Sequence, residues 1–395
     1  MTSEAPPLLP RPPRYGEASL SDVLPAVLTS LGVAGHERPS APRLPAAERA
    51  CVFLVDGLGH ELLTAADPSD APFLRSLLPG AAVLDAGFPT STPISLCSLG
   101  TGRTPGEHGI VGFTMHVPPV PNVLECLAWI DYETRADLSA VLPPETLQAC
   151  EPLLSSATHE GIATTVVSLG DHVGSGLTRA AFRGAVFDSV ASFDDLEGRV
   201  GLVGEGLRRS DRALVYTYDA RLDAAAHVDG VGSVAWRTAL AETDATAAAL
   251  AGALPPGSLF VVTGDHGAVN VPATARIDFA SRSDLAADVA WLSGDPRTRH
   301  VHARNGRADN LIERWTAGLD DGWVVLARDE AIDLGLFGPL VRDDVRSRIG
   351  DVVAIAVGDG GVFDRSRYSW ELRLVGFHGA LTPAELRVPL LQLIA

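Results

Sequence analysis

Residues 51–60, CVFLVDGLGH, run through five consecutive apolar positions straight into an aspartate followed by glycine. No polar alternation interrupts the run, so it reads as a strand buried on both faces, as in a parallel sheet covered by helices. ATTVVSL (163–169), ALVYTY (213–218) and LFVVT (259–263) repeat the pattern, and VVAIAV (352–357) and ELRLVGF (371–377) read as later strands. Helical stretches separate them, such as AWRTALAETDATAAALAGA at 235–253. This alternation predicts an α/β fold with a mostly parallel central sheet and helices on both faces.

The rhythm lapses between about 270 and 345, around DPRTRHVHARNGRADN, and again over 113–150. The expected organisation is a loosely ordered leading segment (1–45), a first core portion (46–270), an inserted cap (271–345) and a completing core portion (346–395). No internal repeat is visible.

Composition narrows the function. With 46% hydrophobic and 20% charged residues, the 395-residue chain is globular in type. A formal net charge of −18 excludes a general basic surface for nucleic acid. All 31 basic residues are arginine, which removes Schiff-base chemistry and the lysine-bearing phosphate loop. Cys51, Cys97, Cys126 and Cys150 show no CxxC spacing and read as reduced core cysteines. The N-terminal stretch lacks an apolar signal region, and no run reaches about 18 apolar residues. The expectation is a cytoplasmic protein without membrane attachment.

The chemistry collects where the strands end. Asp56 follows the first; Asp219, Asp223 and His227 follow the 213–218 run; Asp265 and His266 stand in TGDHG; His378 stands in GFHG. Ligands of open parallel sheets bind outside the carboxyl ends of the strands. Imidazole nitrogens and carboxylate oxygens together suit Zn²⁺ or a similar ion, and two such ions stabilise displacement at phosphorus. Asp223 and His227, four residues apart, share one helical face. In FPTSTPISLCSLGTGRTPGEHGI (88–110), Thr92 before Pro93 reads as N-cap and first residue of a helix. That terminus also suits an anion, and a hydroxyl there can serve as nucleophile. Thr90, Ser91 and Ser95 compete with Thr92 for that role.

These blocks, in this order, resemble the alkaline phosphatase superfamily, and within it the type I phosphodiesterases/nucleotide pyrophosphatases. Thr92 stands ten residues before Gly102 of the Thr-Gly pair, as the family's nucleophile does. The resemblance implies one zinc held by Asp56, Thr92, Asp265 and His266 and a second by Asp223, His227 and His378, with Mn²⁺ as an alternative metal. It implies in-line attack by Thr92, a covalent threonine intermediate, and its hydrolysis by water on the second zinc. The substrate would be a small phosphate ester or nucleotide. Ser95 occupies the position of a family Asn that contacts phosphate. For the family's nucleobase clamp, Phe113, Trp129 and Tyr132 are the candidates. The same superfamily leaves a phosphomonoesterase or a phosphonate or sulfate ester hydrolase as alternatives, and an inactive binding protein as the third.

Overall fold

The computed structural model describes residues 10–38, 40–304 and 308–395. Its larger core is a seven-stranded sheet in the spatial order Ala82–Asp85, Arg387–Ile394, Leu259–Gly264, Arg49–Val55, Ala213–Asp219, Ala163–Leu169, Val186–Val190. The last five are mutually parallel, and Arg387–Ile394 runs antiparallel to both its neighbours. In register, Cys51 lies beside Val215 on one side and Phe260 on the other.

Alternate side chains of the central strand enter two different cores. Ala50, Val52 and Leu54 pack with Ile94, Leu96 and Leu99 of the helix Thr92–Thr101. Cys51, Phe53 and Val55 pack with Val203 and Leu207 of Leu196–Arg208 and with Trp236 and Leu240 of Val234–Ala253. Each large apolar side chain so buried contributes about 1.5–3 kcal/mol, which is why continuous apolar runs rather than alternating ones fill this sheet.

A second seven-stranded sheet, with every recorded pairing antiparallel, has the order Trp323–Ala327, Val352–Ala356, Thr298–Ala303, Val289–Asp295, Thr114–Met115, Leu124–Glu125, Ile130–Asp131. The two irregular stretches of sequence therefore meet in one body, and its strands continue past residue 345. Two strand assignments need correction on this account. VVAIAV belongs to the second sheet, because an apolar run buried on both faces does not reveal which sheet it joins. ELRLVGF forms a short 3₁₀ turn, Glu371–Arg373, and only Gly376–Phe377 is extended, pairing antiparallel with Val269–Asn270.

The leading segment also departs from expectation. Residues 1–9 lie outside the described part, but Leu20–Asp22 and Val23–Ser30 are helical, and Leu20, Leu24, Val27 and Leu28 are fully buried. An apolar helix face outweighs the proline-rich approach to it. Among the described residues, no helix is long and apolar enough to cross a membrane.

Candidate metal centre

Three chain turns at the carboxyl ends of parallel strands converge with the turn that follows the short strand Gly376–Phe377. Asp56 opens the turn after Arg49–Val55, with its N–H on the Asp219 carbonyl (2.9 Å). The following Gly57 has φ +76°, and a Cβ there would sit 3.0 Å from Asp223 Cβ, so glycine lets these two turns touch. Asp265 ties the next turn in: its Oδ1 accepts the N–H of Gly57 (3.0 Å) and of His266 (2.9 Å). Asp223 and His227 lie on the helix Arg221–Asp229, and His378 follows the short Gly376–Phe377 strand.

Thr92 is the first helical residue and Ser91 the cap, one position earlier than the sequence suggested. The Thr92 side chain is drawn to the strand ends instead of capping its own helix. Its Oγ1 is 3.1 Å from His266 Nε2 and 3.4 Å from each Asp56 oxygen. Of the competing hydroxyls, Thr90 Oγ1 donates to the Ala380 carbonyl (2.9 Å). Ser95 is fully buried and donates to the Asp265 carbonyl (2.8 Å), so the structure turns it to bracing a neighbouring turn rather than to a phosphate.

The seven side chains come together. Asp56, Asp265 and His266 offer atoms within 4.8 Å of one another, as do Asp223, His266 and His378. His227 Nε2 adds to the second group, 3.2 Å from Asp223 Oδ2 and 3.3 Å from His378 Nε2. Each imidazole has its Nδ1 against a backbone carbonyl: His227 on Gly376 (2.8 Å), His378 on Thr90 (2.7 Å) and His266 on Gly267 (3.0 Å). An N–H donated there leaves the Nε2 lone pair facing inward, the arrangement that orients metal-binding histidines.

Electrostatics favour a cation. Burial, reinforced by Asp265 and Asp223, pushes the Asp56 carboxyl well above its usual range. Burial raises Asp265 as well. Burial also acts to raise Asp223, but His227, His378 and His266 hold it well below the usual range; His227 in turn is lifted to about 9 by Asp223 against the pull of burial. Burial and His266 lower His378. Asp223 Oδ1 and Asp265 Oδ2 are buried with no hydrogen-bond partner. Buried carboxylate oxygens without partners are costly unless an ion satisfies them. The donor set therefore fits divalent metal.

Other residues are accounted for structurally. Asp219, though at a strand end, is saturated by Arg199 (2.8 Å) and Arg221 (2.7 Å). Trp129 is buried with its Nε1–H on the Leu142 carbonyl (2.7 Å), and Tyr132 donates to Glu371 (2.8 Å). Of the three clamp candidates only Phe113 walls the cavity above the site, which has a volume of about 340 Å³. Leu127, Tyr218 and Ala220 separate it from a second cavity of about 410 Å³, lined by Phe182, Phe187 and Tyr216.

Two site residues were missed in the sequence. Tyr218 donates its hydroxyl to Asp56 in a short hydrogen bond. Its place as the penultimate residue of an apolar strand, facing the turn after its neighbour, was the available signal. Asp295 reaches the cavity from the second sheet, and no spacing in the chain announces it.

Comparison with known proteins bears on the fold and the family. No match is found among curated proteins. The structure is similar to murine ectonucleotide pyrophosphatase/phosphodiesterase 5, at 17% identity over 87% of each chain with a TM-score of 0.66. An inactive variant of that murine protein in complex with AMP matches at 15% identity, again over 87% of each chain, with a TM-score of 0.65. Phosphonoacetate hydrolase from Sinorhizobium meliloti, in complex with phosphonoacetate, is similar at 20% identity over 89% of this chain and 91% of that one, with a TM-score of 0.64. At these identities the likeness is one of fold. The model of the type I phosphodiesterase/nucleotide pyrophosphatase family matches residues 50–381, which contain every strand-end motif described above, and the chain belongs to that family of phosphoester hydrolases.

Proposed function

We propose that this protein is a metal-dependent phosphodiesterase in which Thr92 is the nucleophile. The observation that carries the reading is the Thr92 hydroxyl. It is free of any capping duty and stands 3.1–3.4 Å from His266 and Asp56, in the cluster that also holds the unpartnered Asp223 Oδ1 and Asp265 Oδ2. Asp56, Thr92, Asp265 and His266 would hold one ion, and Asp223, His227 and His378 a second, Zn²⁺ by donor type. Bound metal would supply Lewis-acid stabilisation of charge on the phosphoryl oxygens and on the attacking and departing oxygens.

The protein's own residues do the rest. The helix Thr92–Thr101 begins at the site with Thr92, so its positive end suits an anionic phosphoryl group there. Thr92 Oγ1 forms the new bond to phosphorus as the bond to the departing alcohol oxygen breaks, and the hydroxyl proton leaves toward the Asp56 side of the site. The resulting threonyl phosphodiester, which keeps the substrate's second organic group, is then hydrolysed by water, which releases a phosphomonoester and regenerates the hydroxyl. Tyr218 fixes the Asp56 carboxylate through its own hydrogen bond. The two adjoining cavities offer room for an organic substituent on phosphorus, which favours diesters over monoesters.

The test compares hydrolysis of bis-4-nitrophenyl phosphate and 4-nitrophenyl phosphate with Zn²⁺ and with Mn²⁺. The diester should be the better substrate. Thr92→Ala should lower its turnover by at least about 10³-fold while bound metal falls little. A variant with wild-type rate would reduce Thr92 to a helix start.

A further inference from the structure

The wall of the cavity above the metal centre contains no arginine among the described residues, although arginine supplies every basic side chain of the chain other than histidine. What it does contain is Asp295, the last residue of the strand Val289–Asp295, whose side chain is 2% exposed. Oδ2 of that carboxylate accepts the neutral N–H of Phe113 (3.3 Å). Gly379, directly after His378, presses against it: a Cβ on Gly379 would lie 2.7 Å from Asp295 Cβ. Asp295 is thereby held at the mouth of the His378 turn, on the same cavity wall as Asp56, Thr92 and Asp223. Glu371, the other carboxylate on this wall outside the proposed metal ligands, is already answered by Arg299 (3.3 Å) and Tyr132 (2.8 Å). Arg299 gives its Nε–H to the Val362 carbonyl (2.9 Å) and an Nη2–H to Glu371 (3.3 Å); it is buried and does not line the cavity. The remaining walls are apolar or aromatic, including Phe113, Trp370 and Phe377.

A phosphodiester brings one negative charge, which the metal centre is built to meet. A second anion on the same substrate, such as a carboxylate or a further phosphate, would enter this cavity with no arginine on its wall to receive it and with Asp295 beside it. Like charges juxtaposed in a partly desolvated cleft are strongly disfavoured, while aromatic faces beside a carboxylate suit a neutral or cationic group. We propose that Asp295 is a specificity-determining residue that restricts the enzyme to phosphodiesters whose organic group in this cavity is neutral or cationic, and disfavours those carrying a second anion there. This rests on the diesterase reading and narrows it to a substrate class.

The experiment uses three 4-nitrophenyl phosphodiesters that share one leaving group and differ in the second arm: phenyl, 3-carboxyphenyl and 3-trimethylammoniophenyl. In the wild-type holoenzyme, kcat/KM for the carboxyphenyl ester should be at least about 10-fold below that for the phenyl ester, with the cationic ester at or above the phenyl one. Asp295→Asn should bring the carboxyphenyl and phenyl values within about 3-fold of each other, a change of ratio that a merely structural role would not produce. Equal wild-type rates, or an undiminished ratio in the variant, would overturn the proposal. A second measurement needs no variant: calorimetric binding to the wild-type holoenzyme should favour methylphosphonate over phosphonoacetate by about 10-fold or more, and the reverse order would overturn the assignment. If none of the three diesters is cleaved, the diesterase reading fails, while the phosphonate pair still decides the role of Asp295.

Discussion

Arg297, in the turn between Val289–Asp295 and Thr298–Ala303, pairs with Glu385 of the short helix Pro383–Leu386, and severing them should be among the most damaging single changes outside the metal centre. Both side chains are essentially inaccessible, and they meet bidentately, Nε to Oε1 at 2.7 Å and Nη2 to Oε2 at 2.8 Å. Arg297 also donates to the Gly360 carbonyl (2.8 Å). Glu385 accepts the N–H of Ala380 (3.1 Å), and its carbonyl accepts that of Gly267 (2.9 Å), so it braces the turns on either side of His378 and His266. Arg297→Met keeps the bulk and removes the cation, leaving a carboxylate buried with only neutral donors. Breaking a buried pair in this way costs about 3–5 kcal/mol, a large part of the roughly 5–15 kcal/mol by which folded proteins are stable. With a urea dependence of about 3 kcal/mol/M, the unfolding midpoint should fall by about 1–1.7 M. The double variant Arg297→Met/Glu385→Leu removes both charges and should recover at least about half of that loss. The assay is urea unfolding followed by tryptophan fluorescence on the metal-loaded protein. A single-variant loss below about 1 kcal/mol would refute the argument that this pair is dry and structurally demanding.

Removing metal should expose the charge problem that the site contains: chelation should lower Tm by several degrees, and adding Zn²⁺ back should restore it, with unchanged Tm as the contrary result in differential scanning fluorimetry. His227→Ala should lower bound zinc measured by mass spectrometry toward one ion per chain while the Asp56–Asp265–His266 group keeps its own; full occupancy would remove His227 from the ligand set. Gly100→Val should prevent the helix Thr92–Thr101 from seating, because a Cβ there would lie 2.2 Å from the Ala181 carbonyl oxygen, and soluble yield and Tm report it. His300, held neutral by burial and lowered to about 3, binds its proton more readily in the unfolded chain. Wild-type stability should therefore fall as pH drops below about 6.5, this residue contributing about 1.4 kcal/mol per pH unit, and His300→Phe should flatten that slope; parallel pH curves would refute it.

Chemistry close in sequence to a strand was legible from the chain alone. CVFLV before Asp56, ALVYTY before Asp223 and His227, and LFVVT before Asp265 and His266 had to be double-faced strands, and the ends of parallel strands are where side chains of distant stretches meet. Thr92 was legible as the start of a helix, since proline in the first turn lacks only an N–H the helix would not use. Which direction its hydroxyl takes was not, because capping and facing a neighbouring strand end differ by one residue of register and by contacts 36 and 174 positions away.

What only the tertiary structure decided lies across long separations. VVAIAV could join either sheet, since a run buried on both faces is satisfied by any two layers that cover it. Ser95 looked available until the Asp265 carbonyl claimed its proton. Asp295 enters the site from a sheet assembled out of two distant irregular stretches and the strand Val352–Ala356, and its position follows from strand pairing rather than from any local pattern. Local sequence fixes secondary structure through periodicity and capping, but the sign of the charge facing a substrate depends on which surfaces fold against each other.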